Sequence, residues 1–320
     1  MEPGFVRRSL PRMCAGALVM SGTIFGAAIF QSGTVYDGQN NGNLTLFDVT
    51  GGGAIASPFL DRNPGDAFGQ IGFSQDLHTA YLTVLSTNEI LALDASAHLT
   101  AFARGILNPS GLVVTNSGHI LVASFNDGTV YDITNGGDFS SATPFAMGLN
   151  SPRDLLQVSA GVILVADSST GDIFNIAGGG DFSAATPFAT GLGPIAALAE
   201  FNGHLYAATY GGSKVFDVTA GGDFSSAAAF ASGLSFAGLT VDGANRLLAN
   251  DASGTGIYDI SKGGDFSAAS PFATIAGGQQ DALFGTVPAV SQTPEPVTLP
   301  FSGGVLAGIW FTRRRTMRPS

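Results

Sequence analysis

From Leu107 to Ile133 the chain reads LNPSGLVVTNSGHILVASFNDGTVYDI. Short apolar, β-branched runs (GLVV, HILVAS, TVYDI) alternate with clusters of Asn, Ser, Gly and Asp, the pattern of β-strands joined by tight turns. The stretch 146–188 repeats it. RDLLQVS is followed by a turn at Ala160-Gly161, VILVADS by a turn at Ser169-Thr170, and GDIFNIA by a GGGDFS loop before ATPFATG. Each unit therefore predicts four antiparallel strands, without the long helical periodicity of an α-solenoid.

The units are evenly spaced. The last Phe of GGDFSSATPFA, Phe145, recurs in near-identical strings as Phe188, Phe230 and Phe272, at intervals of 43, 42 and 42 residues. Backward steps of 43 meet Phe102 and Phe59, which makes six anchors. A period of 42–43 with four strands per unit predicts propeller blades. Residues 30–59 and 273–286 are each too short for a blade, but together they have the length of one. The N-terminal strands, including TLFDVT, are thus expected to be completed by a C-terminal strand, leaving no sheet edge open. The expected body is all-β: a six-bladed β-propeller of four-stranded antiparallel blades over residues 29–287.

Within the repeated string, Gly136-Gly137 and their copies supply the positive φ that a tight loop between third and fourth strands requires. Asp138, Asp181, Asp223 and Asp265 are placed to accept N–H groups from the residues that follow, as in an Asx turn. Phe139 and its copies are expected to tuck the loop against its blade, and the Phe of PFA to fill the space between neighbouring blades. One carboxylate per loop falls far short of the six to eight oxygens that Ca²⁺ takes. The string reads as scaffold.

Composition agrees. The chain has 45 Gly among 320 residues, 12% charged residues and 45% hydrophobic ones, which suits many short strands and argues against disorder. Between residues 29 and 293 stand six basic and 22 acidic residues, a surface that repels polyanions, so nucleic acid is excluded as the expected partner. The single cysteine, Cys14, precludes a disulfide within the body.

The two ends have a different character. At the N-terminus, Arg7, Arg8 and Arg12 precede the uncharged apolar stretch Met13–Phe30, with Gly26 and Ala28 spaced for peptidase cleavage. This is the layout of a secretory signal over residues 1–28, helical before cleavage after Ala28, with an uncleaved membrane anchor as the alternative. At the C-terminus, a linker at 288–293 leads to Pro294-Glu295-Pro296, an uncharged stretch at 297–312, and Arg313-Arg314-Arg315. Sixteen helical residues span roughly 24 Å, short of the ~30 Å hydrocarbon core, and the arginines would hold the end on the cytoplasmic side.

The order Pro-Glu-Pro, apolar span, arginine cluster resembles the PEP-CTERM sorting signal, and the resemblance covers residues 294–320. It implies export, retention at the inner membrane of a Gram-negative bacterium through a C-terminal transmembrane segment, cleavage by an exosortase as processing partner, and release to the surface or beyond. Exopolysaccharide and envelope proteins are the further partners implied. An ordinary tail anchor is the alternative reading.

The units at 107–133 and 149–176 resemble NHL-type blades, and among six-bladed relatives are the gluconolactonase-type hydrolases. That likeness implies an axial divalent metal, calcium or another, held by acidic and Asn side chains at one mouth of the channel. The nearest positions here are Asp66, Asn108 and Asp154, with no Glu at an equivalent point, so the set is incomplete and no metal or other cofactor is expected. Ser124, Asp167, Thr209 and Asp251 close the second strands of four units and form a candidate polar rim, or else bind turn backbone. His119 and His204 follow Gly in equivalent hairpins, while His78 and His98 stand alone. No H-E-x-x-H, G-x-S-x-G or P-loop string occurs, so zinc protease, serine hydrolase and P-loop chemistry lack their carriers. The function expected is non-catalytic binding or scaffolding, with a metal-dependent lactonase as the alternative.

Overall fold

The computed structural model describes residues 30–40, 44–62, 68–159, 161–275 and 279–289. These all lie in the unit Met1–Ala289, and the second unit, Val290–Ser320, lies outside the described residues. The signal segment, the linker beyond Ala289, the sorting signal and Asp66 are likewise outside them. Every regular element described is a β-strand, and no helix among the described residues is long and apolar enough to cross a membrane.

Six sheets form the blades. Blade 2 comprises Phe68–Phe73, Thr79–Val84, Glu89–Asp94 and Leu99–Arg104. Blade 3 comprises Pro109–Val114, Ile120–Ser124, Thr129–Asp132 and Ala146–Met147. Blade 4 begins at Pro152–Ser159, blade 5 at Ile195–Phe201 and blade 6 at Phe236–Val241. Blade 1 is composite: Val35–Asn40, Leu44–Asp48 and Leu60–Arg62 are completed by Gln279–Thr286 as its first strand. In that pairing Val35 lies opposite Thr286 and Asp37 opposite Phe284. First strands of neighbouring blades touch all the way round, so the ring closes as the repeat arithmetic required.

The core lies between the sheets. Six apolar clusters occupy the six junctions, one each. Leu121 and Val130 of blade 3 meet Leu155 and Val165 of blade 4, for example, and Leu164 and Ile173 of blade 4 meet Leu198 and Phe216 of blade 5. Second strands such as ILVAS are buried along their whole length, because a blade has neighbours on both faces. The anchors Phe59, Phe102, Phe145, Phe188, Phe230 and Phe272 each pack against one junction, as expected. Full burial of such a ring is worth about 2–3 kcal/mol.

One expectation needs correction. The four strands of each blade are antiparallel, but five of the six sheets carry a further, parallel strand from the next blade. Gly180-Asp181 of blade 4 pairs with Ala146-Met147 of blade 3, and Gly137-Asp138, Gly222-Asp223 and Gly264-Asp265 do the same at their own junctions. Gly180 donates its N–H to Phe145 O at 2.9 Å and Phe182 to Met147 O at 2.8 Å. The loop expected to serve its own blade is therefore a clasp on its neighbour. Its local chemistry is as anticipated. Gly179 has φ +61°, and a Cβ there would stand 2.6 Å from Phe145 O. Asp181 Oδ1 accepts Ser183 N at 2.9 Å, and Phe182 packs edge-on against Phe174 of its own blade.

The outer strands of blades 3, 4 and 5 are only two residues long, so the clasp supplies much of their pairing. Gly53–Ile55 provides the equivalent strand on blade 6, with Ala54 in place of the Asp. Blade 1 receives none among the described residues, because blade 2 joins its third and fourth strands by a tight turn in which Asp94 N bonds His98 O.

Candidate functional site

The axis is lined by the first strands. Small residues there, Gly69, Ala196, Ala197 and Gly238, let the blades converge, leaving a cavity of about 10 Å³, which holds about one water. Gln70, Arg153, Asp154 and Phe284 complete much of the lining.

Asp154 is the one carboxylate in this lining, and it is 4% exposed. Its third-residue position in Pro152–Ser159 turns it toward the axis, where the register shifts between Pro152 and Asp154. Three donors surround it. Oδ1 accepts Gln70 Nε2 and Leu155 N, each at 2.8 Å, and Oδ2 accepts Leu198 N of blade 5 at 2.7 Å. Burial pushes its pKa up to about 6, against the pull of those hydrogen bonds and of the Arg153 charge. A donor-only environment suits the carboxylate, and it stitches blades 2, 4 and 5 together across the axis.

The described members of the implied metal set do not assemble. Asn108 sits just before the first strand of blade 3, in the left-handed region at φ +52°, with its amide nitrogen 3.5 Å from Asn126 Oδ1. It is not among the residues lining the axial cavity. Asp154 has both oxygens committed to protein donors. Among the described residues no group of three or more His, Cys, Asp or Glu side chains converges to hold a metal. These residues do not fit the metal that the resemblance implies.

The candidate rim residues Ser124, Asp167, Thr209 and Asp251 are all buried. Their oxygens bond mostly to backbone, with Ser124 Oγ also 2.9 Å from Asp127 Oδ2 and Asp251 Oδ1 also accepting Ser253 Oγ at 2.8 Å. Ser124 Oγ donates to Leu107 O at 2.9 Å and Thr209 Oγ1 to Lys214 O at 3.1 Å. Asp167 accepts N–H groups from Asn150, Ser151 and Ser169, and Asp251 from Ser235 and Ser253. Each side chain ties the entry of its blade's first strand, or the turn after its second, to the second strand. Strand ends hold unpaired backbone groups, so the acids are consumed there.

The equivalent histidines prove to be paired. His119 Nδ1 lies 2.6 Å from Asp132 Oδ2, and His204 Nδ1 lies 2.7 Å from Asp217 Oδ2. The acids come from the repeated D-x-T string of TLFDVT, VYDIT and VFDVT, whose Thr side chains accept an N–H at the start of the second strand, as Thr219 does from Leu205. Sequence reasoning missed these pairs, although His and Asp recur at a constant spacing of 13. Gln70 and Arg153 had no sequence signal at all.

No protein-family model matches the chain, and no curated protein matches it in sequence. Solved structures do. A propeller in a nidogen/laminin complex matches with TM-score 0.59 at 13% identity, covering 79% of this chain and 98% of that one. A structure described as a putative gluconolactonase matches with TM-score 0.54 at 14% identity, over 68% and 80%. A protein of unknown function from Bacteroides caccae matches with TM-score 0.53 at 9% identity, over 80% and 99%. At such identities the likeness is one of fold.

Proposed function

We propose that this chain is an exported β-propeller acting as a non-catalytic binding or scaffolding protein of the cell envelope, in contact with exopolysaccharide or envelope proteins. In this reading the N-terminal signal directs export, and the Pro294-Glu295-Pro296 tail holds the chain at the inner membrane until an exosortase cuts it. The excess of acidic residues in the body keeps an exported protein soluble.

The observation that carries the non-catalytic reading is the axis itself. Beside Asp154 the cavity among the described residues has the size of about one water, and the carboxylate is satisfied by three protein donors. The same fold is described as a putative gluconolactonase in one neighbour and stands in a nidogen/laminin complex in another, so fold alone does not choose between them.

The second reading, a metal-dependent lactonase, is favoured by one feature: a buried acid on the axis with its pKa pushed up to about 6. Metal analysis of the purified full chain, with assays on aliphatic lactones in added Ca²⁺ or Zn²⁺, separates the two. The expected result is no stoichiometric metal and no turnover. Stoichiometric metal, with turnover abolished by Asp154→Ala in protein that still folds, would overturn the non-catalytic reading.

A further inference from the structure

The junction between blades 4 and 5 holds a groove of about 360 Å³, within the size range of small-molecule sites. Its origin lies in two departures from the repeat. Val158 and Val162 occupy the hairpin positions held by Thr115 and His119 in blade 3 and by Asp242 and Arg246 in blade 6. Apolar side chains thus stand where the pattern is polar. With Leu164 and the anchor Phe188 of the same blade they line an apolar wall.

The opposite wall is acidic. Glu200 and His204 of blade 5 both line the groove, and no Lys or Arg is among its lining residues. His204 Nδ1 lies 2.7 Å from Asp217 Oδ2. Burial works against the charge on Asp217, but hydrogen bonds from Thr219 and His204 outweigh it and keep the group ionised. The blade 3 pair, His119 with Asp132, has the same geometry. The pair alone is therefore a brace; what distinguishes the blade 5 copy is the apolar wall across from it and Glu200 beside it, where blade 3 has Val114.

We propose that this groove binds a small organic ammonium compound, an amine carrying an apolar body. The body packs against Val158, Val162 and Phe188, and the ammonium donates to the Glu200 carboxylate. Charge and shape both select this class: a carboxylate, no Lys or Arg, and an apolar wall in a body of 22 acidic and six basic residues over 29–293. The assignment depends neither on export nor on the packed axis.

Titration calorimetry of the full chain in mild detergent, with phenethylamine, 2-phenylethanol and phenylacetate as probes, tests it. Phenethylamine is expected to bind one site and to be preferred over the alcohol, with phenylacetate weakest. Glu200→Gln, an exposed change that spares the fold, should weaken phenethylamine about fivefold and leave the alcohol unchanged. Val162→Glu, which puts a charge into the apolar wall, should weaken the amine and the alcohol alike. Glu89→Gln, elsewhere on the surface, should change nothing. The proposal is overturned if phenethylamine does not bind, if it binds no better than phenylacetate, or if Glu89→Gln weakens it as much as Glu200→Gln. Each of these leaves the lactone and metal result, and hence the non-catalytic reading, untouched.

Discussion

Phe182 of blade 4 donates its backbone N–H to Met147 O of blade 3, 2.8 Å away. The same bond recurs from Phe139 to Arg104, from Phe224 to Thr190 and from Phe266 to Ser232, at 2.8–2.9 Å. Four copies of one string thus make four copies of one interblade bond. The repetition that marks the chain is the record of a clasp used at four successive junctions.

Amide hydrogen exchange checks this directly. A surface loop with no clasp would exchange its amides almost freely. The N–H groups of Phe139, Phe182, Phe224 and Phe266 are instead expected to be protected to a degree comparable with the outer strands they pair with. The edge strand Leu60–Arg62 of blade 1, which receives no clasp among the described residues, should exchange fastest of the six outer strands.

A pair of glycines separates close approach from backbone strain. Gly148 and Gly118 have similar left-handed backbones, φ +78° and +86°. A Cβ at Gly148 would stand 2.5 Å from Ser183 N of the next clasp, whereas one at Gly118 would meet nothing within 4 Å. Gly118→Ala is expected to cost about 1 kcal/mol from strain alone, and Gly148→Ala about 3 kcal/mol because the clasp must also shift. Urea unfolding of the two variants measures the difference.

The acid groups give stability an unusual pH profile. Asp154 has a folded pKa of about 6, above its ordinary value of 3.8, so the native state holds more protons and stability falls as pH rises from about 4 to 6. The fall is about 3 kcal/mol, held constant above that window. Asp138, Asp181, Asp223 and Asp265 are shifted the other way by hydrogen bonds from the serine two residues on. Their contribution is present above the ordinary carboxylate range and lost below it as they protonate. Stability should therefore peak near pH 4, and Asp154→Asn should flatten the limb between pH 4 and 6 while leaving the acid limb in place. Denaturation midpoints across pH 3–8 measure both.

The sorting proposal makes its own demand. Replacing Pro294-Glu295-Pro296 with alanines should leave a larger, membrane-retained species in cells that carry an exosortase. Normal release of mature protein from that variant would refute it, as read by fractionation and immunoblot.

The blade number and the composite first blade were legible because a period is a global property. Six Phe anchors and two complementary remnants constrain the ring without any knowledge of contacts. The clasp was not legible, since two residues pairing in parallel with a neighbouring blade leave no periodic trace. Only the local needs of Gly179 and Asp181 showed. The second-strand ring was visible as a set, Ser124, Asp167, Thr209 and Asp251, but sequence cannot say whether an acid at a strand end faces solvent or its own turn. Burial decided that. The groove at blades 4 and 5 could have been found by asking where one repeat departs from its neighbours, because Val158 and Val162 are apolar where blade 3 has Thr115 and His119 and blade 6 has Asp242 and Arg246.

Everything in this account requires that the two ends of the described chain lie in one sheet. Val287 N donates to Thr34 O, which makes Val35 and Thr286 a non-hydrogen-bonded pair, with Cα atoms about 4.5 Å apart in such a geometry and within disulfide reach. The most direct test is Val35→Cys with Thr286→Cys in a Cys14→Ser background, oxidised under native conditions. The account predicts a near-quantitative intramolecular disulfide between these residues, seen as a reducible mobility shift, with a rise in the urea midpoint. Free thiols that persist in folded, oxidised protein would contradict the closed ring.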